Sequence, residues 1–145
     1  MANFVSQNDD LEYMIKSIET FADKDDVYQE MISAGQSIMK NAIQSHAQKH
    51  KLTGRMANSI YATKPTENKD GDWVGRVKFG GSNGVYKTKA GKKYDITNWL
   101  KAFRIEYGTS KQSAKPFVRP AIQGCESNIY NKMKTIFERK LKDLQ

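Results

Sequence analysis

The chain has a single cysteine, Cys125, only three prolines, and no long uninterrupted run of apolar residues. A lone cysteine excludes an internal disulfide framework, and the place of Cys125 on an apolar helical stripe reads as a small buried hydrophobe. The apolar stretches fall short of the roughly 18 residues of a membrane span, so no membrane partner is expected. "MANFVSQNDDLEYM" carries neither the basic nor the apolar region of a secretory signal, which points to cytoplasmic synthesis. His46 and His50 have the i, i+4 spacing of a helical zinc pair, but Ala47 stands where a metalloprotease needs glutamate, and no third ligand stands out. "FGGSNG" lacks the Gly-Lys-Ser/Thr ending of a phosphate loop. Beyond Gly54 the acids are scattered singly, apart from Asp70 and Asp72 in "KDGDW", which leaves a magnesium-dependent nuclease little to work with. No catalytic, cofactor-binding or metal site is assigned, and a small hydrolase or nuclease is the least supported class.

What is present is charge. The 145 residues carry a formal net charge of +8, with 38% hydrophobic and 28% charged residues, a composition that suits one folded domain with a large wet surface. Residues 1–50 hold four Lys against eight Asp or Glu, a net of −4, and residues 51–145 hold twenty Lys or Arg against eight acids, a net of +12. Three readings stay open: a merely solvated surface, a basic face for nucleic acid, or complementary surfaces through which copies dock.

Periodicity supplies the architecture. Leu11, Met14, Ile15, Ile18 and Phe21 recur at helical spacing, with Asn8, Asp9 or Asp10 available as a cap; Val27, Met31, Ala34, Ile38 and Ala42 carry a longer stripe that Gly54 stops. "SIYAT", "WVGRVKF" and "FRIEY" then read as three strands, the last two by alternation of apolar and charged residues. Residues 80–98 between the second and third are a basic loop, either a hairpin turning at Ala90-Gly91 or a mobile segment. Ile122, Cys125, Ile129, Met133, Ile136 or Phe137, and Leu141 or Leu144 predict a long final helix, with Pro120 in its first turn. The expected fold is α+β in one domain, residues 1–145. A small antiparallel sheet of three to four strands (56–108) packs against an N-terminal helical segment (8–50) and a C-terminal helix (119–144).

Two short stretches hold unusual backbone control. Gly108 permits a sharp exit from "FRIEY", while Pro116 and Pro120 disfavour helical geometry in the residues before them, so Lys115 and Arg119 are expected to be extended. Glu106 and Arg119 flank this turn and are candidates to pair across it. "LTGRMANSI" and "FRIEYGTSKQSAKPFVRPAI" together resemble the HK97 gp10-like family of tailed-phage minor structural proteins, the tail-component or neck proteins. The family pattern of Thr-Gly-x-Leu-x-x-Ser-Ile, a strand ending in Glu-Phe-Gly-Thr, and a Pro-Phe-x-x-Pro-Ala helix start is matched at three places: Thr53, Gly54, Met56, Ser59 and Ile60; Glu106, Tyr107, Gly108 and Thr109; and Pro116, Phe117, Arg119, Pro120 and Ala121. Met56 replaces leucine, Tyr107 replaces phenylalanine, and "KTKAGKKYDITNWLKAF" is longer than the expected link.

The resemblance implies a non-enzymatic structural protein of a phage or prophage virion, sited in the neck or tail. It implies head-tail joining or tail completion, as a homo-oligomeric ring in contact with head connector or tail proteins. Its motif and interface candidates are Thr53, Gly54, Arg55, Ser59, Glu106, Gly108, Thr109, Pro116, Phe117, Arg119 and Pro120. The alternative is a small basic nucleic-acid-binding module, because Lys87, Lys89, Lys92 and Lys93 are interleaved with Tyr86 and Tyr94, and such residues neutralise phosphates and stack on unpaired bases. The same lysines could contact a genome passing through a ring, without sequence preference, or serve assembly.

Overall fold

The long apolar stripes at each end of the sequence fold into two helices that lie side by side. The computed structural model describes residues 4–49 and 54–144, the side chains of residues 4–8 and 83 excepted. Helix α1 spans Phe4–Ile18, α2 Lys24–Lys49 and the short α3 Gly54–Ala57. Strands β1 Ile60–Ala62, β2 Thr66–Glu67, β3 Trp73–Val74, β4 Val77–Phe79, β5 Ser82–Lys87 and β6 Lys93–Thr97 follow, then α4 Asn98–Tyr107 and α5 Val118–Asp143. Asn8, Asp9 and Asp10 thus lie inside α1 and do not cap it.

Helices α2 and α5 are antiparallel. Val27 and Met31 near the start of α2 share a cluster with Ile136 and Phe137 near the end of α5, whereas Ile43 and Ala47 near the end of α2 meet Phe117 and Ala121 at the start of α5. Gly35 allows the close approach at the midpoint, where a Cβ would lie 2.7 Å from Met133 Cε. With 26 residues, α2 makes a rod of roughly 39 Å. Helix α1 covers one end of it: Met14, Ile18 and Phe21 are buried there, and Phe21 stacks on Phe137 at 6.3 Å. Ile15, expected in the stripe, is exposed. The basic last turns of α5 fold back over the acidic first helices. Lys134 approaches Asp10 at 3.7 Å, and both Arg139 and Lys140 pair with Glu30. Cys125 is buried on α5, and burial raises its thiol pKa, as befits a core residue.

The expected sheet of three to four strands is corrected to three separate antiparallel ribbons of two strands each. In the first, Ile60 pairs with Phe79, Tyr61 with Lys78 and Ala62 with Val77; in the second, Thr66 pairs with Val74 and Glu67 with Trp73. "WVGRVKF" is therefore not one strand, and it breaks at Gly75 because α2 passes directly beneath. A Cβ on Gly75 would lie 2.5 Å from Gln36 Cδ and 2.5 Å from Ile32 Cγ2. Buried Gln36 uses that space to donate through Nε2 to the carbonyls of Thr63 (2.9 Å) and Arg76 (3.0 Å), which ties the first ribbon to the helix. Residues 80–98 form the hairpin alternative: β5 and β6 pair with Tyr86 opposite Tyr94 and Lys87 opposite Lys93, around a turn where Gly91 has φ +86°.

The largest correction concerns "FRIEY", which is the second half of helix α4 and not a strand. Its five-residue alternation is also compatible with a helix, and the wider window decides. Asn98, Ala102 and Ile105 are spaced four and three residues apart and all face inward, Thr97 caps the start, and Gly108 ends it.

Replacing Gly75 by Ala is predicted to destabilise the fold by about 1–3 kcal/mol, because the added methyl must displace Gln36 from both carbonyls. Urea denaturation should show a lower midpoint with an unchanged slope.

Candidate functional site

The sequence elements that carry the resemblance meet at one end of the helix pair. Met56, Ala57 and Ile60 from the first, Ile105 beside the second, and Phe117 and Ala121 from the third share one buried cluster with Ile43, Ala47 and Ala102. Phe117 is fully buried, and its ring meets Phe79 edge to face at 6.1 Å. The ring is placed there by the connection between α4 and α5. Gly108, at φ +77°, donates its N–H to Arg104 O at 2.8 Å and turns the chain out of α4. Thr109 N–H then donates to Gln112 O (2.8 Å), the Thr109 hydroxyl accepts from Lys111 N–H (3.2 Å), and Lys115 N–H returns to Ile105 O (2.8 Å). A side chain at Gly108 would be strained by that φ and would crowd backbone, with Ala114 N at 2.8 Å and Gln112 O at 2.9 Å.

Glu106 closes the connection. Its Oε2 accepts from Phe117 N–H at 2.7 Å and from Val118 N–H at 2.9 Å, and its Oε1 accepts from Arg119 N–H at 3.0 Å. These are three of the four amides that an α-helix leaves unpaired at its start; the fourth position is Pro120, which has no N–H. Phe117 occupies the cap position and offers no side-chain acceptor, so a carboxylate from the preceding helix does the work of a local Ser or Asp. The negative charge also sits at the positive end of the α5 dipole. Burial pushes the Glu106 carboxyl up, but the three N–H donors and the nearby Arg119 charge outweigh it and hold the group below its ordinary value.

The expected Glu106–Arg119 pairing thus takes a different form, since the hydrogen bond runs to the Arg119 backbone. Arg119 is also helical, not extended. Pro120 lies in the first turn of α5, where proline is tolerated, and the helical geometry that it disfavours in the residue before it is held by the Glu106 hydrogen bond to the Arg119 amide.

An open groove of about 910 Å3 lies beside this connection, bounded by α4, β4 and the first turns of α5. Trp99, Phe103 and Tyr107 form its most exposed wall. They follow one another at i, i+4 and i+8; Trp99 stacks on Phe103 at 5.4 Å, Phe103 meets Tyr107 at 4.8 Å with the rings tilted by 47°, and the three remain 56%, 46% and 61% exposed. Three large rings exposed in a row on a folded surface are the usual mark of an interaction site. Reading "FRIEY" as a strand hid them, although the same four-residue spacing runs through "NWLKAFRIEY" behind the Thr97 cap.

The hairpin continues this surface, joined to α4 by Asn98, whose Nδ2 donates to Gly80 O at 2.7 Å. Tyr86 and Tyr94 face α4 across a cavity of about 520 Å3 shared with Ile96, Leu100 and Arg104. Lys87, Lys89, Lys92 and Lys93 are all exposed, and Lys92 Nζ lies 5.2 Å from the Tyr94 ring centroid. Lys87 and Lys93 are directly opposite, a like-charge pair that disfavours the hairpin on its own and gains from an anionic partner.

The remaining sequence candidates are placed as follows. Gly54 and Arg55 begin α3 and are exposed; Ser59 donates its hydroxyl to Met56 O at 2.7 Å in the turn before β1; Pro116 is exposed and precedes the anchored Phe117. Thr53 and His50 lie outside the described residues. Among the described residues, no group of three or more His, Cys, Asp or Glu side chains could hold a metal ion, and no helix is long and apolar enough to cross a membrane. In comparisons with known proteins, the chain matches no family model, no curated protein and no solved structure.

Glu106→Gln is predicted to lower stability by about 2 kcal/mol near neutral pH, because a single neutral oxygen must then serve donors that two charged oxygens served. The lowered carboxyl pKa sets the sign of the pH dependence. The cap is complete above the ordinary carboxylate pKa of about 4.3 and is lost as pH falls through the lower folded value. Denaturation curves of the two proteins should therefore converge as pH falls through that lowered value, and a difference that stays constant from neutral pH into acid would contradict a charge-based cap.

Proposed function

We propose that this chain is a non-enzymatic structural protein of a tailed bacteriophage or prophage. In this reading it sits in the neck at the head-tail junction, acts in head-tail joining or tail completion, and assembles as an oligomeric ring. It would be made in the host bacterial cytoplasm and end in the virion. Its partners would be copies of itself and head connector or tail proteins, and the hairpin lysines would contact the genome as it passes.

The observation that carries this reading is the convergence at Phe117. Each of the three sequence elements that resemble the phage family is short and unspecific by itself. The first lies far earlier in the chain than the other two, which are neighbours in one connection, yet Met56 and Ile60 share a core cluster with Ile105, Phe117 and Ala121, and Glu106 and Gly108 set the path between the second and third. The exposed aromatic row beside them supplies a surface whose natural use is contact with another protein. Against the family pattern stands the helical conformation of Glu106 and Tyr107, where the pattern has a strand end.

Disrupting the gene in a phage or inducible prophage is predicted to leave DNA-filled heads unattached to tails, seen directly by electron microscopy. Normal infectious particles would overturn the proposal.

The facing Lys87 and Lys93, with Tyr86 and Tyr94 beside them, favour one second reading, a basic nucleic-acid-binding module. If four lysines met phosphates, affinity should fall about a hundredfold between about 50 and 200 mM salt. Weak binding indifferent to salt would remove this reading.

A further inference from the structure

We propose that copies of this chain dock head to tail, the acidic α1–α2 end of one against the aromatic face of α4 in the next. This rests on the self-assembly in the proposed function but not on its place in a particle.

Charge is divided unevenly along the rod. Residues 9–32 and 128–144 build one end around Phe21 and Phe137, and residues 66–74 join them because Trp73 stacks on Tyr28 at 6.1 Å. These stretches hold thirteen acidic against eight basic residues, a net of −5, whereas the remaining sequence holds sixteen basic against three acidic, a net of +13. The ion pairs from α5 to Asp10 and Glu30 thus temper the acidic end without erasing it. One of the three acids on the basic side, Glu106, is spent on the α5 cap.

Apolar exposure follows the same axis. Among the described residues, the large hydrophobic side chains left exposed at the acidic end are Tyr13, Ile15 and Leu144, and the aromatic row and the hairpin tyrosines lie at the basic end. Lys78 and Arg119 border the groove beside the aromatic row. Like ends repel, so the favourable contact sets the acidic end of one copy on the aromatic end of another. Made once per copy, end to end, it is heterologous, the kind that closes into rings or extends into filaments; made twice, between copies side by side with reversed polarity, it would stop at a wild-type dimer, and that result overturns the head-to-tail arrangement. Nucleic acid fits the groove less well. Trp99 and Phe103 already cover a face of each other by stacking, and Glu126 on the wall would repel phosphate.

The test uses two variants of the full chain, each with one end disabled. Phe103→Asp alters the aromatic face, and Asp9→Lys with Asp25→Lys reverses charge at the acidic end; all three side chains are exposed. Sedimentation velocity of the wild type at about 50 and 500 mM salt should show association that weakens as charges are screened. Each variant alone should associate about tenfold more weakly or worse. Their equimolar mixture should form a one-to-one dimer and nothing larger, because each partner keeps one working end. Should circular dichroism show Phe103→Asp misfolded, Lys78→Glu reverses charge on the same rim and gives the same readings.

A wild type that stays monomeric throughout, variants that associate as the wild type does, or a mixture that assembles beyond dimers overturns the inference. So does a Phe103→Asp protein that loses DNA binding while keeping self-association. None of these results bears on whether particles need the gene, and normal particles after gene disruption would leave the head-to-tail contact standing.

Discussion

Three backbone amides at the start of α5 point at one carboxylate, that of Glu106, and the end of the molecule that carries the exposed aromatic row depends on that contact. A helix that begins without a capping side chain leaves donors unpaired, each costing about 1–3 kcal/mol when buried away from water. Here the cap comes from the last turn of the preceding helix, so a single interaction fixes where α4 ends, where α5 begins, and how the connection between them runs. Phe117, whose own amide is bound by Glu106, is held in the core as a consequence. Gly108 and Pro120 suit the two ends of the arrangement, one by tolerating a positive φ and the other by bringing no amide that needs a partner.

The long helices were legible because a 3.6-residue stripe sustained over many turns has few alternatives. Val27 and Met31 on α2, and Cys125, Ile136 and Phe137 on α5, are buried as their spacing implies, while Ala34, Ile38 and Ala42 are half-buried. The short elements were not legible in the same way. Phe103, Ile105 and Tyr107 alternate with charges over five residues, a pattern too short to separate a strand from a helix, and the decisive signals lay outside it at Thr97 and Gly108. The division of "WVGRVKF" at Gly75 could not be read locally, since its cause is Gln36 and Ile32 on a helix some forty residues earlier. The importance of Glu106, Gly108, Phe117 and Pro120 was visible in the sequence, but the part each plays required knowing that α5 starts beside the end of α4. The aromatic row went unread with the helix that displays it.

Charge shows the same dependence on the fold. The contrast between acidic first helices and a basic remainder is altered in three dimensions, because the basic end of α5 returns to pair with Asp10 and Glu30. What survives is a difference between the two ends of the α2–α5 pair, which sequence order alone does not reveal. Exposed ion pairs of this kind contribute little to stability, about 0–1 kcal/mol each. The effect of the remaining charge is on encounter and orientation, and it combines with the exposed rings of Trp99, Phe103 and Tyr107 to make one end of the molecule the candidate partner-binding end.

The most direct measurement of the central claim is amide hydrogen exchange at Phe117, Val118 and Arg119. Amides in the first turn of a helix have no intrahelical partner and ordinarily exchange early. If Glu106 binds all three, they should be protected to about the same degree as the α5 interior at neutral pH and should open only with the fold. Exchange at the rate of frayed helix ends in the wild-type protein would contradict the cap, and with it the account of how Phe117 and the aromatic face are positioned.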